Sequence, residues 1–337
     1  MHITGVSINT HEEQLQGKIS CLQEELTYVQ ACGFDGIEIS IHALDVLING
    51  KLRQPQLDKI RTVTTQFPLI YSVHPPNRLN FAFPQRWPGH PSDLIREKDV
   101  FAACLDFCAA IGAKVLVYHS GLIALAEAAF GTANIPDDEA LEQARAQEVA
   151  ALRELMPLAA ERDVIVAMEN RDPHPWEVAT LLKHGFPPEQ LSKYHAGMMV
   201  PALIRQVEEV NHPNLGLTLD VGHLFLAANV CGFDYYEAIH MAAPYVRHLH
   251  GSDNAGRLGG IPGSLSDQMI YGDGDVHLPP GWGELPHSQA LAQLKGYQGL
   301  YVIELRFRFH DYLAEAVTAM RQFIREASGS CSAISRD

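Results

Sequence analysis

Cysteine is sparse and unpatterned in this chain. Cys21, Cys32, Cys104, Cys108, Cys231 and Cys331 are scattered without a CxxC pair, which argues against a disulfide framework and fits reduced thiols in a cytoplasmic protein. Cys104 and Cys108, four apart on an expected helix, read as filler. No apolar run reaches the roughly 18 residues of a membrane-spanning helix, so none is expected. The opening residues, MHITGVSINTHEE, have neither a basic start nor a long apolar stretch, so no signal peptide is expected. Basic residues are in short supply: 25 Lys and Arg against 40 Asp and Glu leave a net charge of −15. Such a chain repels phosphate backbones at long range, which disfavours nucleic acid as a partner. Apolar residues at 47% and charged residues at 19% exclude a disordered chain or a coiled coil.

What is present is a rhythm. The 337 residues are long enough for two domains or for one barrel of more than about 250 residues. Short apolar runs predict strands at 3–8, 36–41, 69–74, 114–119, 164–169, 215–220, 245–250 and 300–305. Between and after them, helical patterns predict helices near 19–32, 54–66, 92–111, 138–162, 198–210, 233–243, 286–295 and 311–327. Strand–helix alternation predicts a parallel sheet with crossover helices, and eight repeats close it. The expected fold class is therefore α/β, a (β/α)8 TIM barrel forming one domain over residues 1–327. A long glycine-rich loop follows strand seven (251–283), and a frayed polar tail is expected at 328–337.

The polar residues fall at particular places. Six of the eight expected strands end in an ionisable residue or have one beside the end: His74, His119, Glu169, Asp220, His250 and Glu304. In this architecture, strand ends converge on one mouth at the C-terminal face. Imidazole and carboxylate together suit Zn²⁺, Mn²⁺ or Fe²⁺, and a carboxylate-rich set also admits Mg²⁺. A divalent metal of one of these kinds is the expected cofactor. His223 follows Asp220 by three, within reach of the same mouth. Of His248 and His250 only one is expected to point inward, with the two on opposite faces of their strand. His250 is chosen because it is nearer the strand's C-terminal end, and His248 is assigned to packing or to support of the ligands. In the long loop, Asp275 and His277 form a D-x-H pair beside a rigid Pro-Pro-Gly segment, placed to reach back over the mouth.

These motifs, in this order, resemble the xylose isomerase-like barrel superfamily, which includes sugar isomerases, ketose 3-epimerases, inosose dehydratases and endonuclease IV. The resemblance spans nearly the whole chain. It implies one metal held by Glu169 in VAMEN, Asp220 in LDVGH, His250 in HGSDN and Glu304 in VIELR; the His250-Gly-Ser-Asp253 form also fits. The endonuclease IV branch carries extra ligands, whose counterparts are His74, His119, His223, Asp275 and His277. That branch also has a Tyr-Leu wedge, and here the same slots hold Asn77 and Arg78, which together with the acidic charge weakens a DNA reading.

The chemistry implied is that of a metal-dependent sugar isomerase or epimerase acting on a small polyol or ketose through an enediolate. Glu169 and Glu304, from strands taken to lie on opposite sides of the mouth, would be the acid and base. Arg306, two residues past Glu304, is expected on the same face to hold a hydroxyl or carboxylate group, with Trp87 and Trp282 as an apolar wall. The alternative is an endonuclease IV-like, zinc-dependent phosphodiesterase. The partner expected is a small-molecule sugar or polyol, with no membrane, and a homo-oligomer is allowed.

Overall fold

The computed structural model describes residues 1–84, 93–259 and 264–333. Eight strands run parallel: β1 (His2–Asn9), β2 (Gly36–Ser40), β3 (Ile70–His74), β4 (Val115–His119), β5 (Ile165–Glu169), β6 (Leu215–Asp220), β7 (Val246–Gly251) and β8 (Gln298–Ile303). Each pairs with its neighbour in sequence, and β8 closes onto β1 through Val6 opposite Tyr301 and Ile8 opposite Ile303. Closure leaves no edge strand. The strands are therefore covered on both faces, which explains why GIEIS and LGLTLD are buried at every position. One face fills the barrel and the other packs on a ring of helices: α1 (Ile19–Cys32), α2 (Gln54–Thr64), α3 (Leu94–Ile111), α4 (Asp138–Glu161), α5 (Val200–Val210), α6 (Tyr235–Ala242), α7 (His287–Gln293) and α8 (Leu313–Ala333). This is the (β/α)8 TIM barrel that the alternating pattern predicts.

Local chemistry sets the boundaries. Asp137 caps α4 by accepting from the Ala140 amide at 2.9 Å, and α3 ends where Gly112 turns into the left-handed region at φ 77°. The periodicity did not reveal several short additions. An antiparallel hairpin pairs Leu47–Ile48 with Lys51–Leu52. It turns at Asn49 and Gly50, both with positive φ (50° and 74°), as a two-residue Asn-Gly turn requires. The Val221–Cys231 helix starts directly from the end of β6. Two further stretches, around 120–140 and 171–199, hold the short helices Ala126–Ala129, Pro175–Lys183 and Leu191–Tyr194. They pack on a small core of their own around Leu125, Leu181, Leu191, Tyr194 and Met198.

The expected tail needs correction at its start. α8 extends to Ala333 because its helical hydrogen bonding continues through small and polar residues; 334–337 lie outside the described residues. The loop after β7 is also not without structure. It contains the Leu265–Tyr271 helix, opened by Ser264, whose hydroxyl accepts from the Asp267 amide at 3.2 Å. No helix among the described residues is long and apolar enough to cross a membrane.

Candidate metal centre

The C-terminal ends of the strands open into a cavity of about 440 Å³. Strand pairing places the functional side chains side by side: His119 lies opposite Glu169, and Asp220 opposite His250. Asn170 ties the ends of β5 and β6 together. Its Nδ2 donates to the Asp220 carbonyl at 3.0 Å and its Oδ1 accepts from the Asp220 amide at 2.9 Å. Asp220 is at once the last residue of β6 and the cap of the helix that follows, with Oδ1 accepting from the His223 amide at 2.8 Å. That cap explains the D-x-x-H spacing: His223 sits in the first helical turn, and its Nε2 comes to 3.5 Å from Asp275.

Four donors from β5 to β8 meet. His250 Nδ1 lies 3.2 Å from Glu169 Oε1 and 3.3 Å from Glu304 Oε1. Ligand atoms of Glu169, Asp220, His250 and Glu304 all lie within 4.8 Å of one another. Glu169 Oε2 and Asp220 Oδ2 are buried with no hydrogen-bond partner of acceptable geometry among the described residues. A buried carboxylate oxygen left this way costs free energy unless a cation meets it. The donor set, three carboxylates and one imidazole, fits a divalent cation such as Zn²⁺, Mn²⁺ or Fe²⁺.

Two further groups flank this one. Glu169 Oε2 lies 3.0 Å from His119 Nε2 and 3.8 Å from His74 Nε2. On the other side, Asp275 contacts His277 Nε2 closely, and His277 Nδ1 lies 3.2 Å from the Glu304 carbonyl. The D-x-H pair of the long loop therefore folds over the mouth. Its position is secured from outside the site by Asp253, which accepts from the Gly281 amide at 2.8 Å, the Leu285 amide at 3.1 Å and His287 Nε2 at 3.2 Å.

Charge is unevenly shared. Burial alone would raise the Glu169 carboxyl, but His250 and His119 facing it hold it well below the usual carboxylate range. Burial also raises Asp220, to about 6, with Glu169, Glu304 and Asp275 adding to the shift against the pull of His223. Burial lowers His119 to about 4 despite the adjacent Glu169. It would lower His250 too, but Glu38, Glu304 and Glu169 outweigh it and hold that imidazole well above its usual value.

Some expectations need correction. His248 and His250 lie on the same face of β7, because residues two apart on a strand point the same way. Both are buried and both reach Glu38: His248 Nε2 at 3.0 Å from Oε2, and His250 Nε2 at 3.0 Å from Oε1. Glu38 lies in the middle of β2 and lacks the strand-end position that marks the other site residues. An acidic residue inside GIEIS, otherwise free of charge, was the available signal. β1 and β2 also contribute His11 and His42 to the cavity wall, so all eight strands feed the mouth. β5 and β8 lie three positions apart around the eight-stranded barrel, one short of diametrically opposite, and their glutamates flank the His250 imidazole. Arg306 lines the cavity with Arg171 and Asp172, and one guanidinium nitrogen donates to the Asp275 carbonyl at 3.1 Å. Trp282 is not on the cavity wall. Its Nε1 donates to Glu315 at 2.7 Å, and its ring packs edge-on against Tyr312, since the turn after Pro279 and Pro280 directs it toward α8. Trp87 lies outside the described residues.

The sequence profile of the xylose isomerase-like TIM barrel matches residues 26–326, and the chain belongs to that family. Among solved structures, a D-tagatose 3-epimerase-like protein is similar with a TM-score of 0.65 at 17% identity, over 97% of this chain and 100% of that one. An L-ribulose 3-epimerase superposes with a TM-score of 0.63 at 14% identity, over 99% and 98% of the two chains. The IOLI protein with a bound zinc atom gives 0.61 at 18%, over 97% and 99%. No curated protein matches the sequence.

Proposed function

We propose that this chain is a metal-dependent isomerase or epimerase of a small polyol or ketose. Its metal would be held by Glu169, Asp220, His250 and Glu304. The observation that carries the reading is the meeting of these four donors within 4.8 Å, with Asp220 Oδ2 buried and without a hydrogen-bond partner among the described residues. Bound there, a divalent cation would act as a Lewis acid on a substrate carbonyl and its neighbouring hydroxyl, acidifying the adjacent C–H. Glu169 would accept that proton as the general base and leave an enediolate. Glu304, 3.3 Å from the His250 imidazole, would enter the turnover protonated and give its proton to the neighbouring carbon or to the other face, so that the two carboxyls exchange protonation states. His223 and Arg306 hold hydroxyl groups at the cavity wall. The epimerases of similar fold support this substrate class. The cysteines Cys21, Cys32, Cys104, Cys108 and Cys231 are all unpaired, which supports a reducing, cytoplasmic setting.

The test is turnover of a panel of ketoses in deuterated water by metal-loaded protein. Deuterium should enter the product at the carbon beside the carbonyl, and chelation should abolish turnover. Metal-loaded protein that turns over none of them but cleaves a phosphodiester would overturn the reading. One observation favours that second chemistry: the flanking groups His74–His119–Glu169 and His223–Asp275–His277 have the composition of further metal sites, and paired ions clamp the oxygens of a phosphoryl transfer. If those groups hold ions, His74→Ala and His277→Ala should each release one.

A further inference from the structure

One cluster of metal-ligating side chains lies outside the mouth and has no part in the chemistry above. Between Glu169 and Val200 the chain makes an excursion through the Pro175–Lys183 and Leu191–Tyr194 helices. His174, Glu177 and His195 converge where the two halves of this excursion meet. His174 precedes the first helix, with Pro175 as its first residue, so His174 and Glu177 share one side of the opening turn. His195 follows the second helix directly.

The geometry is compact. Glu177 Oε2 lies 3.1 Å from His174 Nδ1 and 3.0 Å from His195 Nδ1. The two imidazoles are stacked, 10° from parallel. Glu177 and His195 are completely buried, and His174 keeps an exposed edge. Donor atoms of a tetrahedral zinc, with bonds of about 2.0–2.1 Å, lie roughly 3.3 Å apart. The two imidazole-to-carboxylate spacings are close to that, and all three donors lie within 4.8 Å of one another.

Hydrogen bonding alone accounts poorly for the arrangement. Glu177 Oε2 already accepts from the His174 backbone amide at 3.0 Å. Adding both imidazoles gives this oxygen three donors, while its twin Oε1, equally buried, has none. No Lys or Arg forms an ion pair with Glu177 among the described residues, so its charge is met only by imidazoles. A buried carboxylate needs partners for both of its oxygens, and Oε1 has none among the described residues. A divalent cation beside the carboxylate, where both Nδ1 atoms converge, would take the two imidazole lone pairs, neutralise the carboxylate and give Oε1 a partner.

We propose that His174, Glu177 and His195 form a second divalent-cation site, suited to Zn²⁺, with water completing its shell at the exposed edge of His174. None of the three lines the mouth, whereas Arg171 and Asp172, just before His174, do. The ion would therefore be structural. It would bind the two halves of the excursion together and so hold Arg171 and Asp172 at the rim.

The test uses the full chain, stripped with a chelator and reloaded with Zn²⁺ or Co²⁺. Elemental analysis should find one fewer zinc in His195→Ala and in Glu177→Gln than in wild type. Asp220→Ala with His250→Ala should lose the mouth ion and keep this one. In the cobalt-loaded His195→Cys variant, the lost equivalent should return together with a thiolate-to-cobalt absorption band in the near ultraviolet. That band requires the metal at this position and does not depend on activity. The site is overturned if the two single variants bind as much zinc as wild type, or if His195→Cys binds cobalt without the band. Because the readout is metal content and a spectrum, failure of the isomerase reading leaves this result unaffected.

Discussion

Glu169 faces His74, His119, His223 and His250, and this crowding sets what its substitution should do. Glu→Gln keeps an oxygen able to coordinate while removing the base. Glu169→Gln and Glu304→Gln should therefore each retain most of the metal while turnover falls by at least about 10²-fold. Full metal with near-normal turnover in either variant would exclude that residue as acid or base. Glu38 acts one step back. It engages His250 Nε2 and so leaves Nδ1 to face Glu169 and Glu304, the arrangement by which a carboxylate orients a metal-ligating histidine. Glu38→Gln should weaken metal affinity by about 10–100-fold, seen by isothermal titration with Zn²⁺. Turnover should recover when the metal is supplied in excess.

At the scale of the element, the loop after β7 depends on Asp253. Its carboxylate receives the Gly281 and Leu285 amides and His287, so it fixes the segment that brings Asp275 and His277 over the mouth. Asp253→Ala leaves those buried donors unpaired and should cost on the order of 3 kcal/mol in denaturant unfolding, with faster proteolysis within 255–285. A second element is docked by a titrating pair. His310, in the turn before α8, lies 2.9 Å from Glu25 on α1 and stacks on Tyr28. The hydrogen bond with Glu25 raises the His310 imidazole above its usual value, against partial burial. A raised imidazole contributes stability that is fully present below about pH 6.5 and is lost as pH rises through the folded value. The wild type should thus lose a small increment of stability above neutrality relative to Glu25→Gln. Melting curves of the two proteins across pH 5.5–8.5 that run parallel would remove the pair from the account.

At the scale of the molecule, the net charge of −15 opposes the phosphodiesterase alternative when the substrate is DNA. Duplex DNA should not retain the protein at a salt concentration of about 0.15 M. Tight, salt-dependent retention would instead favour the nuclease branch of the family. Asn77, in one of the slots where that branch carries its wedge, lines the cavity and offers an amide where an apolar ring would be needed to enter a base stack.

The eight strands and eight crossover helices were legible from the sequence because the signals behind them are local. A strand shows as a short β-branched run, a helix as a 3.6-residue period, and a boundary as an Asp cap or a glycine at the end of a turn. His74, His119, Glu169, Asp220, His250 and Glu304 were legible for the same reason, since an ionisable residue at the end of an apolar strand stands out by position. Other features required the closed barrel. Glu38 meets His248 and His250 across 210 and 212 residues of chain, a contact set by the tilt and register of β2 and β7 and by no local period. His174, Glu177 and His195 come together only because the excursion after β5 folds back on its own small core. Trp282 turns to α8 because Tyr312 and Glu315 are there to receive it. Local periodicity determines which elements form and which of their ends carry charge, whereas contact between residues remote in sequence is decided by the closure that packs those elements against one another.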